Sequence, residues 1–137
     1  MRHKYSLIRK TETLTLDELL DIAKHTLFWL ENNLGVNKRH KIRQSLSITN
    51  DSSAFMGLYE PYKNKMTIYV KNNEYIRDFV QTIIHEYTHT LQPIKTKYNK
   101  YRNLPWRDNP YEAEAINNEL TLYKDCWKEV RKNFRIK

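Results

Sequence analysis

The chain has 137 residues, with 24 Lys and Arg against 16 Asp and Glu, for a formal net charge of +8. That length suits one domain spanning residues 1–137, able to bury about two-thirds of its unfolded surface. A single cysteine, Cys126, excludes an intramolecular disulfide, and with 2 Gly and 4 Pro the chain is neither repetitive nor loop-dominated.

In chain order, MRHKYSLIRK carries charge but no apolar h-region, and no later window is apolar enough for a membrane span. A cytoplasmic protein is therefore expected. Thr15 to Glu18 reads as a capping box opening a helix. Leu16, Leu19, Leu20, Ala23, Leu27, Phe28 and Leu30 follow at helical spacing, and Gly35 is the expected stop. His25 in this helix reads as a packing or surface residue. Residues 41–48, KIRQSLSI, alternate as a strand. AFMGLY (54–59) and KMTIYV (65–70) flank the turn EPYKN, a hairpin pattern, and Gly57 within the first arm predicts a bulge or a close approach by another backbone.

Residues 74–92 return to helical periodicity, and Pro93 ends them. After a basic, tyrosine-bearing connection, Asn109 and Pro110 form an N-cap and first turn. Ile116, Leu120, Tyr123, Trp127, Val130 and Phe134 then step by four and three as an apolar stripe. Helix, three strands, helix, helix predicts an α+β domain. Trp29, Trp106 and Trp127 read as core or rim aromatics, and Cys126 as a small buried residue.

Within the second helix, IIHEYTH places His85 and His89 four residues apart, opposite the stripe of Ile76, Val80, Ile83 and Tyr87. Asp78 and Gln92 share that face. Two imidazoles at this spacing can reach one Zn2+ ion, and Glu86 beside them can serve as a base toward a water on the ion without ligating it. A third ligand is expected from YEAEA. One turn back from Ile116 lies Glu112, on the inward stripe, whereas Glu114 falls on the solvent side. An inward carboxylate calls for a partner, although a Glu in the first turn also suits a helix N-terminus. Glu119, two turns on, is a candidate to support a ligand from behind.

His85-Glu86-x-x-His89, followed after 22 residues by a helix with Glu112-x-x-Ala115, resembles the gluzincin metallopeptidases, in particular their smallest members. The element order and the hairpin AFMGLYEPYKNKMTIYV are also similar to those of a compact zincin-like domain, and the resemblance runs from about Leu16 to Trp127. It implies one zinc held by His85, His89 and Glu112, with Glu86 as general base and proton shuttle. It also implies a polypeptide substrate added as a strand along Ala54, Phe55, Met56, Gly57 and Leu58. Ile116 stands where many gluzincins have Asp, and His89 is the last histidine. Stabilisation of the transition state would then fall to Tyr98, Tyr101, Arg102 or Tyr111.

Hydrolysis of peptide bonds is the expected activity. Two other classes stay open: a zinc-binding protein with a structural or regulatory role, in a phage or mobile-element assembly, and a basic nucleic-acid-binding module. The basic residues are scattered (Arg39, Lys41, Arg43; Lys95, Lys97, Lys100, Arg102; Arg131, Lys132, Arg135), with no dense run of the kind that nucleic-acid binding favours.

Overall fold

The structure, a computed structural model, describes residues 6–37, 44–93, 104–105 and 108–134. Its elements are α1 (Leu16–Leu34), β1 (Ser45–Thr49), β2 (Gly57–Glu60), β3 (Lys65–Tyr69), α2 (Ile76–Leu91) and α3 (Pro110–Val130), in the expected α+β order. Short 3-10 turns occupy Thr11–Thr13, Val70–Asn72 and Arg131–Phe134. Among the described residues no helix is long and apolar enough to cross a membrane.

Both ends of α1 follow from local chemistry. Thr15 and Glu18 exchange hydrogen bonds of 3.0 and 3.1 Å as a capping box, and Gly35 closes the helix at φ 84°. The buried face is rotated from the one expected. Leu19, Ile22, Ala23, Thr26 and Leu30 are buried, while Leu16 and Phe28 are exposed. The Thr26 hydroxyl donates to the Ile22 carbonyl, so a polar residue sits on the core side without an unmet hydrogen bond. His25 is exposed and meets the Phe134 ring edge-on.

The sheet order is β1-β3-β2, with β1 parallel and β2 antiparallel to β3. The turn after β2 closes with Asn64 at φ 46°, its side-chain oxygen accepting from the Tyr59 hydroxyl at 2.9 Å. The expected strand over 54–59 is shorter than predicted and begins at Gly57. The physical reason is a pair of asparagines. Asn72 Nδ2 donates to the carbonyls of Ser53 and Phe55, at 2.8 and 2.6 Å, and Asn73 Nδ2 donates to that of Met56 at 3.0 Å. Residues 54–56 are thus held by side-chain amides, with one ladder bond from the Tyr69 N–H to the Met56 carbonyl.

Helix α2 packs on the sheet and against both other helices. Ile76, Phe79, Val80, Ile83, Ile84 and Tyr87 form its contribution to a core shared with Leu19, Ile22, Met66, Ile68 and Trp127. The start of α3 is capped as predicted, Asn109 Oδ1 accepting from the Tyr111 N–H at 2.9 Å. Its apolar stripe divides, which corrects the single core stripe expected. Trp127 and Val130 are buried with Cys126, but Leu120 is 59 % exposed and Ile116 half-buried. The first half of α3 overhangs a cleft, and these two residues wall it.

Gly57 lies where β2 meets α2. A Cβ there would stand 2.6 Å from Thr82 Cγ2, 3.1 Å from Glu86 Cγ and 3.2 Å from Ile68 Cδ1. The close approach anticipated at Gly57 is therefore made by side chains of α2 and β3, not by backbone. Thr82 cannot swing away freely, because its hydroxyl donates to Asn73 Oδ1 at 2.6 Å. Gly57→Ala is expected to destabilise the fold by about 1–3 kcal/mol, the usual cost of overpacking. Urea unfolding measures this, and an unchanged midpoint would mean that the strand and helix separate at no cost.

Candidate metal centre

The residues singled out in IIHEYTH sit in the middle of α2, where the helix is covered on nearly all sides. Glu86 and His89 are buried and His85 is half-buried. The histidine face is thus opposite the core stripe but only partly exposed, since α3 and β2 flank it. The rings of His85 and His89 meet edge-to-face with centroids 4.9 Å apart.

Glu112 closes the group. Its Oε2 lies 3.0 Å from His85 Nε2 and its Oε1 lies 3.1 Å from His89 Nε2. One ligand atom from each of His85, His89 and Glu112 falls within 4.8 Å of the others, close enough to hold a metal ion. Two ligands at 2.0–2.1 Å from one tetrahedral ion stand about 3.3 Å apart, so only small side-chain adjustments separate these positions from coordination. The donor set of two imidazoles and a carboxylate suits zinc or a similar transition metal better than calcium or magnesium.

Each histidine is also held from behind. His85 Nδ1 lies 2.8 Å from Glu119 Oε1, which the structure places on the side of the ring away from Glu112. His89 Nδ1 lies 2.7 Å from Gln92 Oε1, a partner that the sequence reading placed only on the same face. Gln92 Nε2 donates in turn to the Tyr111 carbonyl at 2.9 Å and to Glu114 Oε1 at 2.7 Å. Glu114 is exposed as predicted, yet its carboxylate is tied into the site through Gln92.

These contacts set the protonation of the metal-free group. Burial by itself lowers the His85 pKa, but hydrogen bonds to Glu112 and Glu119 more than offset it and raise the value to about 9. Burial likewise opposes ionisation of Glu112, and its hydrogen bonds to His85 and His89 outweigh that, holding the carboxyl well below the ordinary range. Without a metal, the raised pKa favours the protonated ring, whose two nitrogens face Glu119 and Glu112.

Glu86 is displaced from His85 toward β2, its Cγ lying against Gly57, and it belongs to none of the ligand contacts just described. Ala54, Phe55, Met56, Gly57 and Leu58 line one wall of a cleft of about 770 Å³, and Ile116, Glu119 and Leu120 line the other. His85, Glu86, His89 and Glu112 lie on its floor. The strand segment expected to border the site does so, although only Gly57 and Leu58 of it are true strand. Because the Met56 carbonyl faces β3, alternation turns the N–H and C=O of Gly57 and Tyr59 to the outer edge.

Of the residues expected to stabilise a transition state, Tyr98, Tyr101 and Arg102 lie outside the described residues. Tyr111 is not among the residues lining the cleft, and its carbonyl serves to hold Gln92. Comparison with protein-family models, with curated proteins and with solved structures finds no match to this chain.

Proposed function

We propose that the chain is a minimal zinc-dependent metalloendopeptidase of gluzincin type, with one zinc held by His85, His89 and Glu112. The observation that carries this reading is the convergence of those three ligands on the floor of a cleft, with a second carboxylate, Glu86, beside them and outside the ligand set. A structural zinc site is closed by four protein ligands. Here three are gathered under an open groove, which favours a catalytic arrangement.

When bound, zinc supplies Lewis acidity, polarising a peptide carbonyl and making a neighbouring water easier to deprotonate. Glu86 accepts a proton from that water as the water oxygen bonds to the carbonyl carbon, and then gives it to the amide nitrogen as the C–N bond breaks and the amine departs. His85 and His89 keep fixed orientations through Glu119 and Gln92. The outward N–H and C=O groups of Gly57 and Tyr59 can pair with an extended polypeptide, which orients its carbonyl over the floor of the cleft. Phe55, Met56 and Leu120, large and exposed at the mouth, help to exclude water once a chain is seated.

The protonation state has a consequence for metal loading. Zinc needs the Nε2 lone pair of a neutral His85, so loading displaces the proton that the metal-free protein holds with a pKa of about 9. Apparent zinc affinity should rise roughly tenfold per pH unit from about 7 to about 9 and flatten above. Competition with a chelator of known pH dependence measures it. A flat profile would mean that His85 binds no proton that the metal must displace.

Metal content decides the reading. Protein purified without chelators is expected to carry about one zinc per chain and to cleave an unfolded polypeptide such as casein. Dialysis against chelator should abolish cleavage and added zinc restore it. No stoichiometric metal even after zinc is supplied would sink the proposal. Bound zinc without cleavage would favour a structural or regulatory role instead.

A further inference from the structure

We infer that Gln92, itself oriented by Glu114, is a positioning residue that fixes His89 in its Nδ1–H tautomer and so presents Nε2 to the metal. The inference rests on the metal-site reading above but begins from hydrogen-bond inventory. A glutamine amide has one end that only donates and one that only accepts. Two acceptors, the Tyr111 carbonyl and the Glu114 carboxylate, lie 2.9 and 2.7 Å from Gln92 Nε2. Turning the amide over would point its oxygen at both of them and leave three acceptors in contact. The NH2 end therefore faces α3, and Oε1 must face His89 Nδ1, 2.7 Å away. That contact is favourable only if Nδ1 carries the hydrogen. Nε2 faces Glu112 Oε1 at 3.1 Å, and where a metal takes the place of a hydrogen between them, the Nδ1–H ring offers it the Nε2 lone pair, on the side where Glu112 and His85 Nε2 converge.

Local sequence places Gln92 for this task. Pro93 disfavours helical backbone in the residue before it, and Gln92 is extended, with φ −85° and ψ 150°. Leaving the helix there folds its side chain back under His89, and the residue is 3 % exposed. The same amide joins the end of α2 to the first turn of α3, one residue from Glu112 on one contact and two on the other. One side chain thereby sets the tautomer of one ligand and the distance to another. The two histidines are supported differently, His85 directly by a carboxylate and His89 by a neutral amide with a carboxylate behind it.

The test combines zinc affinity with the tautomer. Gln92→Leu keeps the bulk and removes both polar ends, and should weaken zinc binding by about 10–100-fold, as removal of such partners does. Gln92→Glu still offers an acceptor to His89 but sets a carboxylate against Glu114, and should weaken it comparably. Adding Glu114→Gln restores a donor between the two and should recover most of the loss. Long-range proton–nitrogen NMR spectra of the metal-free protein carrying Glu112→Ala, which removes the carboxylate that competes for an Nε2–H, should show Nδ1–H on His89, and should not once Gln92→Leu is added.

An Nε2–H tautomer in the Glu112→Ala background overturns the inference whether or not the wild type binds zinc. So does Gln92→Leu with wild-type zinc affinity, or a double variant no better than Gln92→Glu. Should the Glu112→Ala protein show the Nδ1–H form and the wild type bind no zinc, Gln92 still positions His89 and it is the metallopeptidase reading that falls.

Discussion

Glu86→Gln is expected to leave zinc content at the wild-type level and to reduce peptide hydrolysis by about 10²–10⁴-fold, the contribution of a positioned general base. The two halves of that expectation come from separate features of the site. Metal retention follows from the proposed ligand set, His85, His89 and Glu112, the group close enough to hold an ion, to which Glu86 does not belong. Loss of turnover follows because no substitution of similar shape supplies a base. Glutamine keeps the side-chain carbons that lie against Gly57, so that packing is preserved. Glu86→Asp gives a useful gradation. Shortening the side chain by a methylene withdraws the carboxylate toward the helix and away from the cleft, and activity should fall between wild type and Glu86→Gln. Full activity in Glu86→Gln would remove the base assignment, and loss of zinc in the same variant would make Glu86 a ligand.

Much of this site is legible in the sequence because its logic is short-range. Spacing of four residues puts His85 and His89 on one side of a helix, and stepping back along α3 from Ile116 puts Glu112 on the face that meets them. Glu119 follows from the same register. The helix starts are local as well, and Thr15, Glu18, Asn109 and Pro110 do what their types and positions require. The inward direction of Glu112 holds for a reason different from the one that led to it, however. Ile116 and Leu120 face the cleft and not the core, so the stripe that pointed to Glu112 is partly the wall of the groove. Apolar periodicity cannot separate a core wall from a cleft wall, since both are apolar.

The illegible features are polar and long-range. Asn72 and Asn73 hold the rim of the cleft by their amides, and Asn73 is completely buried between Thr11, Thr82 and two backbone carbonyls. Asparagine near a helix start ordinarily reads as a cap, yet here the first turn of α2 is closed by Asp78, which accepts from the Tyr75 N–H. Gln92 shares its difficulty. Its partners Tyr111 and Glu114 lie 19 and 22 residues away, and a glutamine carries no periodic signal. The parallel pairing of β1 with β3 across an intervening strand is likewise absent from any local pattern. Such groups become visible only through a count of buried donors and acceptors, which requires the fold.

Glu112→Ala should weaken zinc binding well beyond the about 10–100-fold expected of supporting residues, whereas Glu114→Ala should stay within that range. The difference follows from where each carboxylate ends. Glu112 touches both Nε2 atoms, at 3.0 and 3.1 Å, and its removal leaves two imidazoles without the anion that completes the set. Glu114 acts through Gln92 and touches neither ring in these contacts. Acid stability of the metal-free protein offers a second reading of the same contrast. The Glu112 pKa is depressed in the fold, so its contribution is complete above the ordinary carboxylate range near about 4 and is lost as pH falls through the depressed value. Glu112→Ala should therefore lower stability at neutral pH and flatten its fall below about 4. The same substitution takes from His85 one of the three carboxylates that raise its pKa, bringing the imidazole back toward neutrality near physiological pH. Calorimetric unfolding and zinc titration of the two variants, side by side, give both comparisons. The opposite ranking, with Glu114→Ala the more damaging, would mean that α3 presents its other face to the histidines and that Glu114 is the ligand.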